Sequence, residues 1–231
     1  MAASKTTKIS ATKPNIKRVP RVNALEIYSA DSAAARTQLI ELEGWLSSNV
    51  NFTEVAQAIP EFDKRRHLCA AIGTTFGNHL NYPDRLSFEL NLGGNYFPDL
   101  VVGDSKRESL VLVEFEGAEK YQIFQNKKTG QQYPSFSAKF QHGFFQLLDW
   151  MHRLKDASKE NKEDWFTFVP KKTATVLVIG RDSELSPRSQ AERRLDSLAN
   201  SFTPDNNDLY VVTYDGLIET VKGRLLSSLN N

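Results

Sequence analysis

Apolar residues recur at helical spacing between Thr37 and Ser48, carried by Leu39, Ile40, Leu42 and Leu46 with Trp45 nearby. A second helix is predicted over Phe62 to Leu80, with Leu68, Ala71, Ile72 and Phe76 on one stripe. It ends at Asn81-Tyr82-Pro83-Asp84, because proline cannot continue a helix. The period then changes to two. Leu86 to Leu92 alternates as a strand, Gly93-Gly94-Asn95 signals a turn, and Tyr96 to Val102 reads as a second strand. Gly103 to Lys106 is a polar turn. Leu110 to Phe115 is a continuous β-rich run of the kind buried on both faces. These three strands predict an antiparallel meander.

Gly117 to Ser135 is a long polar connection. Ser137 to Leu154 is a strong helix with an apolar stripe of Phe140, Phe144, Leu147 and Met151. Lys139, His142, Gln146, Asp149 and Arg153 follow one another at steps of three and four along a different stripe. Lys155 to Asp164 reads as a charged surface linker. Thr173 to Ile179 is a buried strand, Ser186 to Ala199 a helix with Pro187 near its first turn, Tyr210 to Thr213 a short strand, and Tyr214 to Ser228 a last helix. The order implies an α/β domain with a mixed sheet. Three regions are expected: a basic arm over 1–22, a helical lead-in over 23–80, and the sheet-bearing domain over 81–231.

Length and charge narrow the function classes. The 231 residues carry 29 Lys plus Arg against 28 Asp plus Glu, a formal charge of +1. That balance argues against a protein that coats nucleic acid by charge alone, but allows a local groove. No apolar run approaches the roughly 18 residues of a membrane span. The single cysteine, Cys69, excludes an internal disulfide framework. With no apolar leader segment at the N-terminus, a cytoplasmic location is expected. Charge is uneven, however. Lys5, Lys8, Lys13, Lys17, Arg18 and Arg21 fill the first 21 residues, which contain no acid. Lys13, Lys17, Arg18 and Arg21 are therefore candidate phosphate contacts.

Acids at strand ends are the most informative chemistry. Pro98-Asp99 falls in the second strand, and Glu114 and Glu116 fall in the third. Alternation points Glu114 and Glu116 to one face, and Asp99 can meet them from the paired strand. Acids at a strand end are also ordinary solvated edge residues, and Lys139 an ordinary solvated helix residue. Convergence is what would distinguish this set. Three carboxylates at the end of an apolar sheet repel one another, and a divalent cation relieves the repulsion. Oxygen ligands favour Mg²⁺ or Mn²⁺. The matching reaction is attack of water on a phosphodiester, with Lys139 or Lys120 offsetting negative charge and Glu89 as an outer acid. No Ser-His-Asp order, phosphate-cradling Gly-rich loop or dinucleotide fingerprint is present, so no organic cofactor is expected.

Phe97-Pro98-Asp99-Leu100-Val101-Val102, followed by Leu110-Val111-Leu112-Val113-Glu114-Phe115-Glu116, resembles the PD-(D/E)XK nuclease superfamily, and within it the Shedu (SduA) antiphage family. Ile123-Phe124 with Gly130 and Pro134-Ser135, the set His142, Gln146, Asp149 and Trp150, then Ile179-Gly180-Arg181 with Glu184-Leu185, and Thr213-Tyr214-Asp215-Gly216-Leu217 resemble further family segments in the same order. The resemblance covers about residues 80 to 220. It implies a restriction-endonuclease-like mixed β-sheet flanked by helices, with Asp99 and Glu114 as metal ligands. It also implies Gln146 beside the site, a DNA substrate, a role in antiphage defence and a homo-oligomer. The chain departs from the superfamily pattern at Glu116, where the acid-x-lysine motif has lysine. The cationic role must then move, and Lys139, one turn from His142 and two from Gln146, is the residue placed to take it. The catalytic set expected is Asp99, Glu114, Glu116, Lys139 and Gln146, with Glu89 and His142 in an outer shell. The alternatives are a non-catalytic nucleic-acid-binding or sensing module on the same fold and a protein-interaction subunit.

Overall fold

Asp31 starts the first helix: its carboxylate accepts hydrogen bonds from the Ala33 and Ala34 amides at 2.8 and 3.1 Å, satisfying donors that a helix N-terminus leaves open. The computed structural model describes residues 21–126, 129, 134–185, 188–201 and 207–227. α1 spans Ser32–Ser48, five residues longer at its start than the apolar period shows. One wide π-type turn, Glu54–Ala58, leads into α2 (Ile59–Asp63), and α3 follows over Arg66–Phe76. The single helix predicted over Phe62 to Leu80 is thus two. Arg65 leaves helical geometry and folds back, its Nη1 donating to the Glu61 carbonyl at 2.8 Å and to Oε2 at 2.6 Å. α3 stops at Gly77, where a side chain would meet Val111 at 2.7 Å.

The strands are β1 (Arg85–Phe88), β2 (Leu100–Asp104), β3 (Ser109–Phe115), β4 (Lys172–Val178) and β5 (Asp208–Val212). They form one sheet in the order β1-β2-β3-β4-β5. β1, β2 and β3 make the expected antiparallel meander; β4 and β5 add in parallel. The mixed sheet of a restriction-endonuclease-like fold is therefore present. β1 is shorter than predicted because Glu89 turns into left-handed backbone, φ 49°, directly after Phe88. β2 starts at Leu100, so Asp99 precedes the strand. β2 also runs through Gly103-Asp104, and the turn falls at Ser105 to Glu108. Asp104 accepts from the Asn81, Tyr82 and Arg107 amides, which ties the polar end of β2 to its neighbours.

Helices cover both faces, as β3 with all seven residues buried requires. α1, α3 and α7 (Tyr214–Ser227) pack with Leu100, Val102, Val111, Val113 and Phe115 on one side. α4 (Ala138–Asp156) packs with Val101, Leu112, Leu177 and Ile179 on the other. Phe140, Phe144 and Trp150 are core residues there. The segment expected as a surface linker contains α5 (Lys159–Phe166), capped by Ser158 and anchored by buried Trp165 and Phe166. The connection after Gly117 is not wholly polar either, since Ile123 and Phe124 are buried and Phe124 bridges Phe136. α6 spans Arg188–Ser201; Ser186, Pro187 and Ser228 lie outside the described residues, as does Gly130. No described helix is long and apolar enough to cross a membrane.

The α3–β2 contact sets a tight packing limit. A Cβ on Gly73 would lie 2.5 Å from a Val102 methyl, whereas one on Gly44 of α1 would meet nothing. Gly73→Ala is expected to lower unfolding free energy by about 1–3 kcal/mol through overpacking, and Gly44→Ala to raise it by about 0.5–1 kcal/mol through helix propensity. Urea denaturation of both variants checks this.

Candidate active site

The β2–β3 register brings the acids together. Leu100 pairs with Val113, and one step further the same register sets Asp99 opposite Glu114. Asp99 Oδ2 accepts the Phe115 amide at 2.7 Å, locking the carboxylate across the strand pair. The Glu116 amide donates to the Val178 carbonyl at 2.9 Å, so β3 keeps its partner β4 one residue past its end. Alternation then directs Glu114 and Glu116 to the α4 face.

α4 lies very close to these acids. A Cβ on Gly143 would stand 2.7 Å from a Leu177 methyl and 3.2 Å from Glu116 Cγ, so any larger residue would have to push these side chains aside. One turn earlier, Lys139 reaches Glu116 Oε2 at 3.3 Å and Glu54 Oε2 at 3.8 Å, with its side chain 54% exposed. Gln146, one turn later, holds a buried Oε1 with no hydrogen-bond partner. His142 is exposed on the same helix. Lys120 is exposed and lies over its neighbour Tyr121 at 4.7 Å; of the two candidate cations, the structure brings Lys139 to the acids.

Glu54 is the member that sequence reasoning missed. It begins the π-type turn, and its carboxylate meets the same Lys139 ammonium as Glu116, at 3.8 Å against 3.3 Å. It belongs to no strand or helical stripe that could have marked it.

Burial dominates the electrostatics. Asp99 and Glu114 are held well above the ordinary carboxylate range by burial. The Phe115 amide opposes this at Asp99, and the surrounding acids reinforce it at both. Glu116 is raised by burial, against the pull of Lys139. Glu54 is pushed up to about 7 by burial and by Glu116, with Lys139 opposing. Burial acts to lower Lys139, but the Glu116 and Glu54 carboxylates outweigh it and the ammonium is held more firmly charged.

The donors suit a hard divalent cation in kind. They are oxygens, they are buried, and Glu114 Oε2 and Glu116 Oε1 have no hydrogen-bond partner. Among the described residues no three His, Cys, Asp or Glu side chains are gathered closely enough to hold an ion as they stand. Bringing them onto one ion requires side-chain rotation.

The outer residues divide. Glu89, in left-handed backbone, donates its amide to the Asp99 carbonyl at 3.1 Å. Arg21 reaches Glu89 Oε2 at 3.5 Å and lies 3.7 Å above the Phe97 ring. The first described residue of the basic segment therefore sits beside Glu89, the outer acid. Lys13, Lys17 and Arg18 lie outside the described residues.

A family model for Shedu protein SduA, C-terminal, matches residues 32–218. The chain belongs to this Shedu family. Membership implies a part in antiphage defence. The match takes in α1 through the first turns of α7, and with them every acid of the site. No curated protein matches the chain.

Like charges buried together make metal-free stability depend on pH. A carboxyl whose folded pKa is raised contributes stability that is present below its ordinary value and lost as pH rises through the folded value. The metal-free protein is therefore expected to lose stability from about pH 4.5 up through Glu54's value near 7. Glu114→Gln, which removes one buried charge, is expected to raise Tm in EDTA at pH 8. Thermal unfolding of both proteins across pH checks this, and a flat wild-type profile contradicts it.

Proposed function

We propose that this Shedu protein is a divalent-metal-dependent DNA endonuclease acting in antiphage defence. The observation that carries the reading is the buried set Asp99, Glu114 and Glu116 with half-buried Glu54 beside it, with orphaned carboxylate oxygens on Glu114 and Glu116 and Lys139 within reach. Asp99 and Glu114 would hold Mg²⁺ or Mn²⁺, with Glu116 at its edge. When bound, the cation supplies positive charge against the carboxylates and the scissile phosphate.

The remaining steps belong to the chain's own residues. Lys139 places its ammonium where charge builds up on the phosphate oxygens. Glu54, half-buried beside Lys139 and outside the proposed metal ligands, is placed to accept the proton of the attacking water. The water oxygen bonds to phosphorus as the bond to the leaving oxygen breaks, the water's proton moves to Glu54, and the departing alkoxide takes a proton from solvent, leaving a phosphomonoester and a hydroxyl end. The Gln146 Oε1, buried and unpaired, is available to orient that water. Arg21, and Lys13, Lys17 and Arg18 before it, would contact the DNA backbone, and the family resemblance favours a homo-oligomer.

One observation favours a second reading. Because the acids are not gathered at ligating distance, a non-catalytic nucleic-acid-binding module on the same fold is the alternative. Calorimetric titration with Mn²⁺ separates the two: binding supports the nuclease, and none at millimolar metal supports the module.

With supercoiled plasmid and Mg²⁺, wild type is expected to nick, EDTA to stop it, and Asp99→Ala and Glu114→Ala to abolish it. Lys139→Ala is expected to lower the rate by about 100-fold or more. Equal traces of nicking in all proteins would refute catalysis. Replacing Lys13, Lys17 and Arg18 by Gln is expected to weaken DNA binding and to make its log-salt slope shallower by about 0.9 for each phosphate no longer neutralised; anisotropy titrations at several salt concentrations measure it.

A further inference from the structure

The segments after β4 and β5 interlock behind the acidic strand. The Gly180 amide donates to the Gly117 carbonyl at 3.0 Å, and the Tyr214 amide donates to the Gly180 carbonyl at 3.1 Å. Arg181 grips Asp215 through Nε and Nη2 at 2.8–3.1 Å, and its Nη1 donates to the Leu46 carbonyl at the end of α1. Thr213 donates to Asp182 at 2.5 Å, and the Asp182 amide donates to Asp215 at 2.9 Å. Two sequence segments that hold no candidate catalytic group are thereby fastened to each other.

What they fasten is Tyr214. It is fully buried, and its hydroxyl donates to the Glu116 carbonyl at 2.5 Å. Its ring stands edge-on to Phe52 at 4.8 Å. Phe52 precedes Glu54 by two residues, and its own carbonyl accepts the Ala118 amide at 2.9 Å. One side chain thus touches the backbone of one site acid and the aromatic anchor of another. These acids come from distant parts of the chain, and both face Lys139.

We propose that Tyr214 is a positioning residue: its hydroxyl holds the backbone of Glu116, at the edge of the proposed cation site, and its ring holds the Phe52–Glu54 segment, so that Glu54 stays beside Glu116 and Lys139. The inference rests on the nuclease reading of the site and adds the residue that fixes its geometry. Tyr214→Phe removes the hydroxyl and keeps the ring. It is expected to weaken Mn²⁺ binding about tenfold, as loss of a group that orients a metal ligand does. It should lower kcat for plasmid nicking by a similar factor with KM for DNA unchanged. Ile218→Val, one turn along α7, is the control for general loosening, and both affinity and kcat should stay at wild-type values.

Calorimetry with Mn²⁺ and nicking kinetics on the full chain decide it. Mn²⁺ affinity within twofold of wild type in Tyr214→Phe overturns the proposal while leaving the nuclease reading intact. So does an equal loss in Ile218→Val. Wild type that binds Mn²⁺ without nicking ends the nuclease reading, and the affinity ratio still decides the role of Tyr214. Wild type that binds no Mn²⁺ overturns both. Should Tyr214→Phe not fold, Phe52→Leu loosens the same contact from the other side, with the same expected loss and the same overturning result.

Discussion

Several carboxyl groups are buried against one another at one end of an apolar sheet, and the structure around them is arranged to bear that cost. Buried like charges cannot all ionise without compensation. Here compensation is partial. Asp99 has the Phe115 amide, Glu116 has Lys139, and Glu114 Oε2 has no partner. The packing that could otherwise relax to admit water is held shut. Gly143 lets α4 close directly over Glu116, and Phe62 stacks on Phe115 at 4.2 Å from the opposite face. A sheet end built only for stability would carry apolar residues at these positions.

The meander and the main helix were legible in the sequence because their signals are local. Leu110 to Phe115 announces a strand buried on both faces, and the stripe from Phe140 to Met151 fixes which side of α4 meets the sheet. Asp99 and Glu114 could be paired in advance because hydrogen-bonded neighbours inherit their register from a short connection. Strand ends were less legible. Glu89 ends β1 by a backbone conformation that residue type alone does not announce. α5 was hidden because a short charged helix has little periodicity, and its two buried aromatics lie at its last positions.

Glu54 was invisible for a different reason. Its turn joins the site only through tertiary packing: Phe52 beneath Trp45 and Tyr214, and the Phe52 carbonyl on the Ala118 amide. No periodicity of its own segment encodes that. The helical region before the sheet supplies one of the site's acids, and it covers the same sheet face as α7. The site is therefore assembled from three stretches of chain: the turn after α1, the β2–β3 pair, and α4.

The exchange of lysine for Glu116 gains a physical account from this assembly. A lysine at that position would add positive charge from the strand itself, two residues from Glu114. Here the strand presents a carboxylate, and α4 returns an ammonium to nearly the same place, 3.3 Å from Glu116 Oε2. The local sum of charge is unlike that of a strand-borne lysine, since Glu116 and Lys139 cancel. The remaining burden of Asp99, Glu114 and Glu54 falls on a cation or on protons. Lys139 also differs in freedom. Its side chain is over half exposed and is anchored on a helix, so it can leave Glu116 without disturbing the strand. In the proposed nuclease reading, such an ammonium would offset the acids of the metal-free protein and would turn to the substrate once a cation takes over that task.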